Sequence, residues 1–307
     1  MHLALVGPTA SGKSALAMAY AGAHGDVEIV SMDSMQVYRG MDIGTAKATP
    51  ADRAAVPHHM IDVADPHEDF SVARFQSAAR AAIASIEARG HRALLVGGTG
   101  LYLQAVIDDL RFPGEDLALR ARIDEECDSE VGLADAYARL RVLDPVAASR
   151  MESGNRRRIV RALEVIELTG RTFSSFGAGI GAQHASVIPV RIAGLALDAE
   201  TLSTRLEARV RAMIAAGWID EVRALLARPA GWSRTARQAI GYQELAALVD
   251  GPETPLAAAI ERIAVRSRRF ARRQRAWYRR NDRVKWYDAS DKTPSAPDAV
   301  VAWWETP

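Results

Sequence analysis

The chain has 307 residues, 49% of them hydrophobic, and its 39 Lys and Arg balance 38 Asp and Glu to a formal net charge of +1. At about 150 residues per domain this length corresponds to roughly two domains with a full core, which excludes disorder as the main state, and the near-neutral balance excludes a uniformly basic chromatin-type protein. Cys127 is the single cysteine, so an intramolecular disulfide and a cysteine-rich zinc module are excluded. With no leader-like segment after Met1 and no apolar run near the roughly 18 residues of a membrane span, the expectation is a cytoplasmic protein with no membrane partner.

The first hundred residues alternate short apolar runs with helical patterns, which predicts an α/β fold with a parallel sheet covered by helices. Leu3 to Val6, Val27 to Ser31 and Ala93 to Val96 read as strands, running into the loops Gly7 to Ser14, Asp33 to Tyr38 and Gly97 to Gly100. Ligands of open α/β sheets bind beyond the carboxyl ends of the strands, so the three loops should meet at one crevice. From Asp116 to Gly170 the sequence turns charged and helical, with breaks expected at Gly132, Pro145 and Gly154. A glycine-rich stretch, Phe176 to Gln183, precedes a further strand expected over Ser186 to Leu197. Helices are expected from Ala199 to Val284, interrupted at Pro229 to Ser233 and Gly251 to Pro255, before a loose polar tail from Ser290 to Pro297. The predicted organisation is a core of residues 1–115 and 185–307 and an all-helical insertion of residues 116–184. His58, His59 and His67 show no metal-ligand spacing and read as surface or capping residues.

Gly7, Pro8, Thr9, Ala10, Ser11, Gly12, Lys13 and Ser14 match GxxxxGK(S/T) at every fixed position, between a strand and an apolar-periodic helix. The glycines let backbone N–H groups curl around phosphate oxygens, Lys13 adds a cation, and Ser14 offers a hydroxyl to Mg²⁺. The loop does not specify ATP. Nucleotide kinases and ATPases add an acidic Mg²⁺ ligand at a strand end, whereas Ala93 to Val96 runs into Gly97, Gly98 and Thr99. The acid at a strand end is Asp33, expected beside the phosphate loop.

Near-zero net charge conceals segregation. Arg156, Arg157, Arg158 and Arg161 cluster in the insertion, and residues 262–280 hold nine arginines with almost no acids. At 100° per residue, Arg262, Arg266, Arg269, Arg273 and Arg280 share one side of a helix and Arg268, Arg272, Arg275 and Arg279 the opposite one, with Ile263, Phe270 and Trp277 between. Two such stripes without acid partners repel each other, and a polyanion touching both relieves this; a solvated helix, or pairing with acids elsewhere, is the alternative. Gln238 to Glu244, with Gly241 and Tyr242, reads as a loop that holds single-stranded bases on an aromatic face, although Tyr242 would equally serve as a core residue.

Several segments together resemble the tRNA dimethylallyltransferase family. They are Gly7 to Ser14, the run DSMQVYRGMDIGTAK from Asp33 to Lys47, Gly97 to Tyr102, Arg158 to Glu164, Gln238 to Tyr242, and Arg272, Arg273 and Gln274 with Trp277. They lie in order and cover nearly the whole chain, and the second is specific to the family. The resemblance implies a P-loop NTPase-like fold and transfer of a dimethylallyl group from dimethylallyl diphosphate to an adenosine beside the anticodon. The acceptor would be position 37 of tRNAs reading codons that begin with U, and the products N6-(dimethylallyl)adenosine and diphosphate. In this reading the loop from Gly7 to Ser14 cradles the leaving diphosphate with Mg²⁺ on Ser14, and no ATP hydrolysis is needed.

The same resemblance implies catalytic roles for Asp33 as proton acceptor, Thr9 beside the reacting carbon, and Lys13 and Arg209 on the diphosphate. A Mg²⁺-binding or helix-capping role for Asp33, and a spacer role for Thr9, are the bland readings. It places the tRNA anticodon stem-loop on Asp33, Ser34, Met35, Gln36, Thr99, Arg120, Arg157, Arg158, Ile159, Val160, Arg161, Gln238, Gly241, Tyr242, Arg272 and Arg273. Thr99 would otherwise be a capping threonine, and Arg120 and Arg209 surface ion pairs. Some family members carry glutamine where Arg157 stands and arginine where Gln238 stands. Without paired cysteines and histidines near its C-terminus the chain resembles the bacterial type, acting as a monomer. The rival reading is a P-loop small-molecule kinase, which predicts nucleotide turnover and leaves the arginine-rich helix without a purpose.

Overall fold

Short runs of apolar residues that are buried on both faces form the strands, as a parallel sheet covered on two sides requires. In the computed structural model, which describes residues 1–176, 185–251, 255–290 and 296–306, they are β1 (His2–Val6), β2 (Val27–Ser31), β3 (His58–His59), β4 (Arg92–Gly97), β5 (Val190–Ala196) and β6 (Val284–Asp288). All neighbours pair in parallel, in the order β3-β2-β4-β1-β5-β6. The helices are α1 (Lys13–Ala23), α2 (Pro50–Ala55), α3 (Val72–Ala88), α4 (Gly100–Ile107), α5 (Leu117–Glu126), α6 (Glu130–Leu143) and α7 (Pro145–Ser149). They continue with α8 (Arg156–Thr169), α9 (Ala199–Ala215), α10 (Trp218–Leu226), α11 (Tyr242–Asp250), α12 (Leu256–Tyr278) and α13 (Ala296–Glu305).

The order corrects one expectation. β4 lies between β1 and β2, with Val6 opposite Gly97 and Ser31 opposite Val96, so the strand ending at Asp33 is one removed from the phosphate loop. The strand expected from Ser186 begins at Val190, because Pro189 has no N–H to give and Ser186 pairs antiparallel with Asp108. Two edge strands escaped the sequence reading. β3 is two histidines long, His59 bonding the buried Glu28 carboxylate at 2.6 Å, and β6 is a half-exposed strand whose Lys285 lies over the Tyr287 and Trp303 rings. Beyond the expected loose tail, α13 buries Val300 and Trp304 against the core beside Tyr20; residues 291–295, most of that tail, and most of the glycine-rich stretch fall outside the described residues.

The chain divides into two compact units, residues 1–108 with 185–307, and residues 109–184. In the second, α5 to α8 enclose a core that includes Ile123, Leu140, Ile159, Val160 and Leu163. Gly132 does not break it but sits in the first turn of α6, where its N–H meets the Ser129 capping oxygen and a Cβ would strike Glu126 O at 2.0 Å. Glu164 is fully buried in this unit, bonded by Arg120 Nε at 2.8 Å, by Arg161 at 2.8 Å and by the Asp116 N–H at 2.9 Å. Burial alone would raise its pKa, and the Arg120 and Arg161 hydrogen bonds outweigh it and hold the carboxyl below the usual range. Removing one member of such a buried pair leaves the others uncompensated, so Glu164→Ala is expected to destabilise the helical unit by about 3 kcal/mol, read as a loss of denaturant midpoint.

Candidate active site

Three loops leave the carboxyl ends of β1, β2 and β4. The first reverses direction through glycine conformations: Gly7 has φ +146° and passes so close to β5 that a Cβ would lie 2.6 Å from Leu195 O, while Gly12 has φ +88° and starts α1. Ala10 is held at φ 64°, left-handed without being glycine. No side chain caps α1, which leaves its amino end to a ligand, as a phosphate site requires. Lys13 is buried, and its Nζ donates to Pro8 O at 2.6 Å and to Ser11 Oγ at 3.4 Å, folded back over the loop. Ser14 stands exposed in the first turn.

Asp33 follows β2. Its Oδ1 accepts the Met35 N–H at 2.8 Å, an Asx turn that fixes the carboxylate. Burial raises its pKa, and the Met35 N–H, Arg209 and Lys13 oppose the rise. Arg209, on α9, is lowered by burial with Asp33 opposing. Lys13 is brought down to about 7 by burial and then by Arg209, again against Asp33. The three groups therefore feel one another across a single site although one strand separates their loops. With Lys13 protonated, two cations face one carboxylate, and an anion neutralises the charge left over.

A residue with no role in the sequence reading completes the phosphate loop. Gln274 on α12 is 7% exposed and accepts the Thr9 N–H on Oε1 at 2.9 Å, while a Cβ on Gly98 would lie 2.0 Å from its Nε2. One turn later Trp277 fills the space of a Cβ on Gly100, at 2.1 Å. The arginine-rich helix is thus seated on both the phosphate loop and the loop after β4, and two glycines admit it. Its buried stripe is Ala259, Ile263, Ala264, Ser267, Ala271, Gln274 and Tyr278, while Phe270 and Trp277 are half-buried at its border.

The arginines divide. Arg266 pairs with Glu244, and Arg268 with Glu207 and Glu261, so one arginine of each stripe has acid partners, supplied by α11, α9 and α12 itself. Arg272 and Arg273 are exposed and pair with no carboxylate among the described residues, Arg273 lying over the Phe270 ring. In the helical unit Arg156 is held by Asp124 and Asp128 and Arg120 and Arg161 by Glu164, while Arg157 and Arg158 are exposed and unpaired among the described residues.

Several expected RNA contacts are placed elsewhere by the structure. Ile159 and Val160 are core residues of the helical unit, facing Leu140 and Ile123, and offer no side chain to a partner. Tyr242 is fully buried; its hydroxyl donates to Glu221 Oε1 at 2.7 Å and its ring lies edge-on to Trp218 and Trp232, so it is no stacking platform. The Gln36 amide is spent internally, accepting Ser31 Oγ at 2.7 Å and donating to Thr45 O and Ala46 O. Gly241, at φ +95°, opens α11. Thr99 is half-buried, and its side chain makes no capping hydrogen bond. Ser34 and Met35 are half-buried beside Asp33. Gln238 is exposed and lines a cavity of about 420 Å³ with Trp232, Arg234, Arg237 and Gln243.

The family model described as IPP transferase matches residues 36–281. The chain belongs to the IPP transferase family. A family member from Kineococcus radiotolerans described as tRNA dimethylallyltransferase is 49% identical over 294 residues, 94% of this chain and 91% of that protein. The solved tRNA isopentenylpyrophosphate transferase of Bacillus halodurans is 38% identical, covers 98% of this chain and 93% of its own, and superposes with a TM-score of 0.69. A eukaryotic dimethylallyltransferase, solved acting on tRNA, is 26% identical with a TM-score of 0.81, covering 95% of this chain and 75% of its own. Family membership gives the P-loop NTPase-like fold and sets aside the kinase reading. Among the described residues no helix is long and apolar enough to cross a membrane.

A buried lysine lowered to about 7 opposes folding. Between that pH and the ordinary lysine range the unfolded chain keeps a proton that the folded chain has released, so the stability of the free protein rises with pH across this window. Lys13→Met is expected to flatten that rise and to increase the melting temperature at pH 7, while weakening inorganic diphosphate at least tenfold, by thermal unfolding and titration calorimetry.

Proposed function

We infer that this chain transfers a dimethylallyl group from dimethylallyl diphosphate to the 6-amino group of the adenosine at tRNA position 37, in tRNAs reading codons that begin with U. The observation that carries this reading is the pairing of the buried Lys13 and the half-buried Arg209 with one carboxylate, Asp33, at the phosphate loop. The cations bind and stabilise a diphosphate that accumulates charge as it leaves. The adenine amine is a poor nucleophile because its lone pair is delocalised into the ring, and a fixed carboxylate that takes its proton makes attack feasible.

In the reaction the amine nitrogen forms a bond to the first carbon of the dimethylallyl group. The carbon–oxygen bond to the diphosphate breaks, its electron pair stays on the departing oxygen, and the amine proton passes to Asp33. Thr9, with its backbone fixed by Gln274, faces that oxygen; Gly7 to Ser14 supply the cradle. Burial holds the Asp33 pKa up, which suits a group that must receive a proton near neutral pH.

The residues fit a hard cation held chiefly by the donor's own phosphates. Ser14 presents its hydroxyl at the open end of α1, and no cluster of three or more His, Cys, Asp or Glu occurs among the described residues to form a protein-only site. Mg²⁺, when bound there, neutralises part of the diphosphate charge.

For the RNA we assign the exposed, unpaired Arg157, Arg158, Arg272 and Arg273 to the phosphate backbone. Gln238, Thr99, Ser34 and Met35 are left to face bases, and Arg120 and Arg161 act by holding Glu164. An enzyme acting on a base atom must extract that base from its stack, and Trp232 beside Gln238 is the aromatic surface at hand.

Mass spectrometry of an anticodon stem-loop RNA incubated with the protein, Mg²⁺ and dimethylallyl diphosphate should find one five-carbon adduct at position 37. Asp33→Ala should abolish it, by the 10²-fold or more expected for a general base, with RNA affinity within about threefold; equal losses of rate and affinity would make Asp33 a binding residue. Replacing Arg272 and Arg273 together by glutamine should reduce the salt slope of RNA binding by about 1.5, at roughly 0.7–0.9 per phosphate contact, and an unchanged slope would remove α12 from the interface.

A further inference from the structure

The segment from Asp33 to Lys47 is held from behind by residues that touch neither substrate in the reading above. Trp218, the first residue of α10, is 1% exposed and is wedged between two glycines: a Cβ on Gly44 would lie 2.1 Å from its Nε1, and a Cβ on Gly241 would lie 2.0 Å from its Cη2. Both glycines belong to segments singled out in the sequence, and neither faces a loop crevice. Three residues further along α10, the Glu221 carboxylate receives the N–H groups of Asp42 at 2.8 Å, Ile43 at 2.7 Å and Gly44 at 3.2 Å. Its fourth donor is the Tyr242 hydroxyl, at 2.7 Å.

From this turn a chain of directly bonded atoms leads back to the carboxylate of Asp33. The Thr45 and Ala46 carbonyls receive the Gln36 amide at 3.1 and 3.2 Å, Gln36 accepts the Ser31 hydroxyl at 2.7 Å, and the N–H of Met35, its neighbour in the chain, donates to the Asp33 carboxylate at 2.8 Å. The buried Lys47 closes the other end, donating to Tyr38 O at 2.7 Å and bridging the carboxylates of Asp42 and Asp62.

We propose that Glu221, locked by Tyr242, is a positioning residue for the transfer reaction: it sets the turn from Asp42 to Ala46 and, through Gln36, the orientation of the Asp33 carboxylate toward the incoming amine. Four donors on one carboxylate define a geometry that a neutral amide cannot reproduce, because one of its two atoms is itself a donor. Tyr242 thereby acquires a function without contacting RNA: it couples α11 to the loop that carries the proton acceptor. Misplacing a reacting group by about 1 Å from afar can cost on the order of 10²-fold in rate.

The inference rests on the transfer reading. The test measures single-turnover transfer to the anticodon stem-loop, with the KM for dimethylallyl diphosphate, for the wild type, Glu221→Gln and Tyr242→Phe. Glu221→Gln is expected to lower the single-turnover rate tenfold or more with the donor KM within twofold, because the clamp does not touch the phosphate loop. Tyr242→Phe keeps the ring against Trp218 and Trp232 and leaves Glu221 three donors, so it should lower the rate severalfold, again at constant donor KM; it decides the matter if Glu221→Gln does not fold. A wild-type protein that makes no adduct overturns the transfer reading and the clamp with it. A wild type that transfers, beside variants whose rates stay within twofold or whose donor KM rises in step with the lost rate, overturns the clamp alone.

Discussion

Everything at this site answers to an imbalance of charge. Lys13, Arg209 and Asp33 share one site; burial is the largest influence on each, Asp33 acts on both cations, and both cations act on Asp33 after the Met35 N–H. A folded chain tolerates such a cluster only because the backbone around it is fixed, and the fixing residues come from far along the sequence. An anionic leaving group completes the set, which is why the loop that in other proteins serves nucleotides here suits a prenyl diphosphate.

In the function proposed above, α12 serves two substrates. Its buried stripe carries Gln274 into the phosphate loop and Trp277 against Gly100, while its outer surface presents Arg272 and Arg273. Between these faces, Arg266 and Arg268 are neutralised by Glu244 and Glu207. The repulsion that its arginines predict is thus relieved at these two positions, and the helix stays strongly basic elsewhere.

What could be read from the sequence was local. The spacing from Gly7 to Ser14 is dictated by phosphate geometry and stands in the chain as a contiguous word, and the four inner strands are apolar because both faces are covered. Asp33 was legible as the acid at a strand end, Arg209 came from family resemblance, and the structure brings both to Lys13. The misread residues are those whose partners lie on other elements. Tyr242, flanked by glycine, has the look of a stacking face, and only the placement of Trp218 and Glu221 on α10 makes it a core hydroxyl. Ile159 and Val160 sit among arginines in sequence yet point into the helical core. Gln274 stands in a segment that resembles the family and Glu221 in none, yet neither role is legible, since each acts on backbone N–H groups, which any residue type supplies.

The contact between Gln274 and Thr9 spans 265 positions, and β5 must pair with β1 before Gly7 finds the wall it presses against. During synthesis the N-terminal segments emerge first. A nascent chain therefore carries the whole GxxxxGKS sequence long before it has a finished anion cradle, and the cradle closes only when α12 has left the ribosome. In the function proposed above, donor binding would then require the chain through Gln274, and a protein truncated ahead of it would hold the motif without the side chain that fixes Thr9.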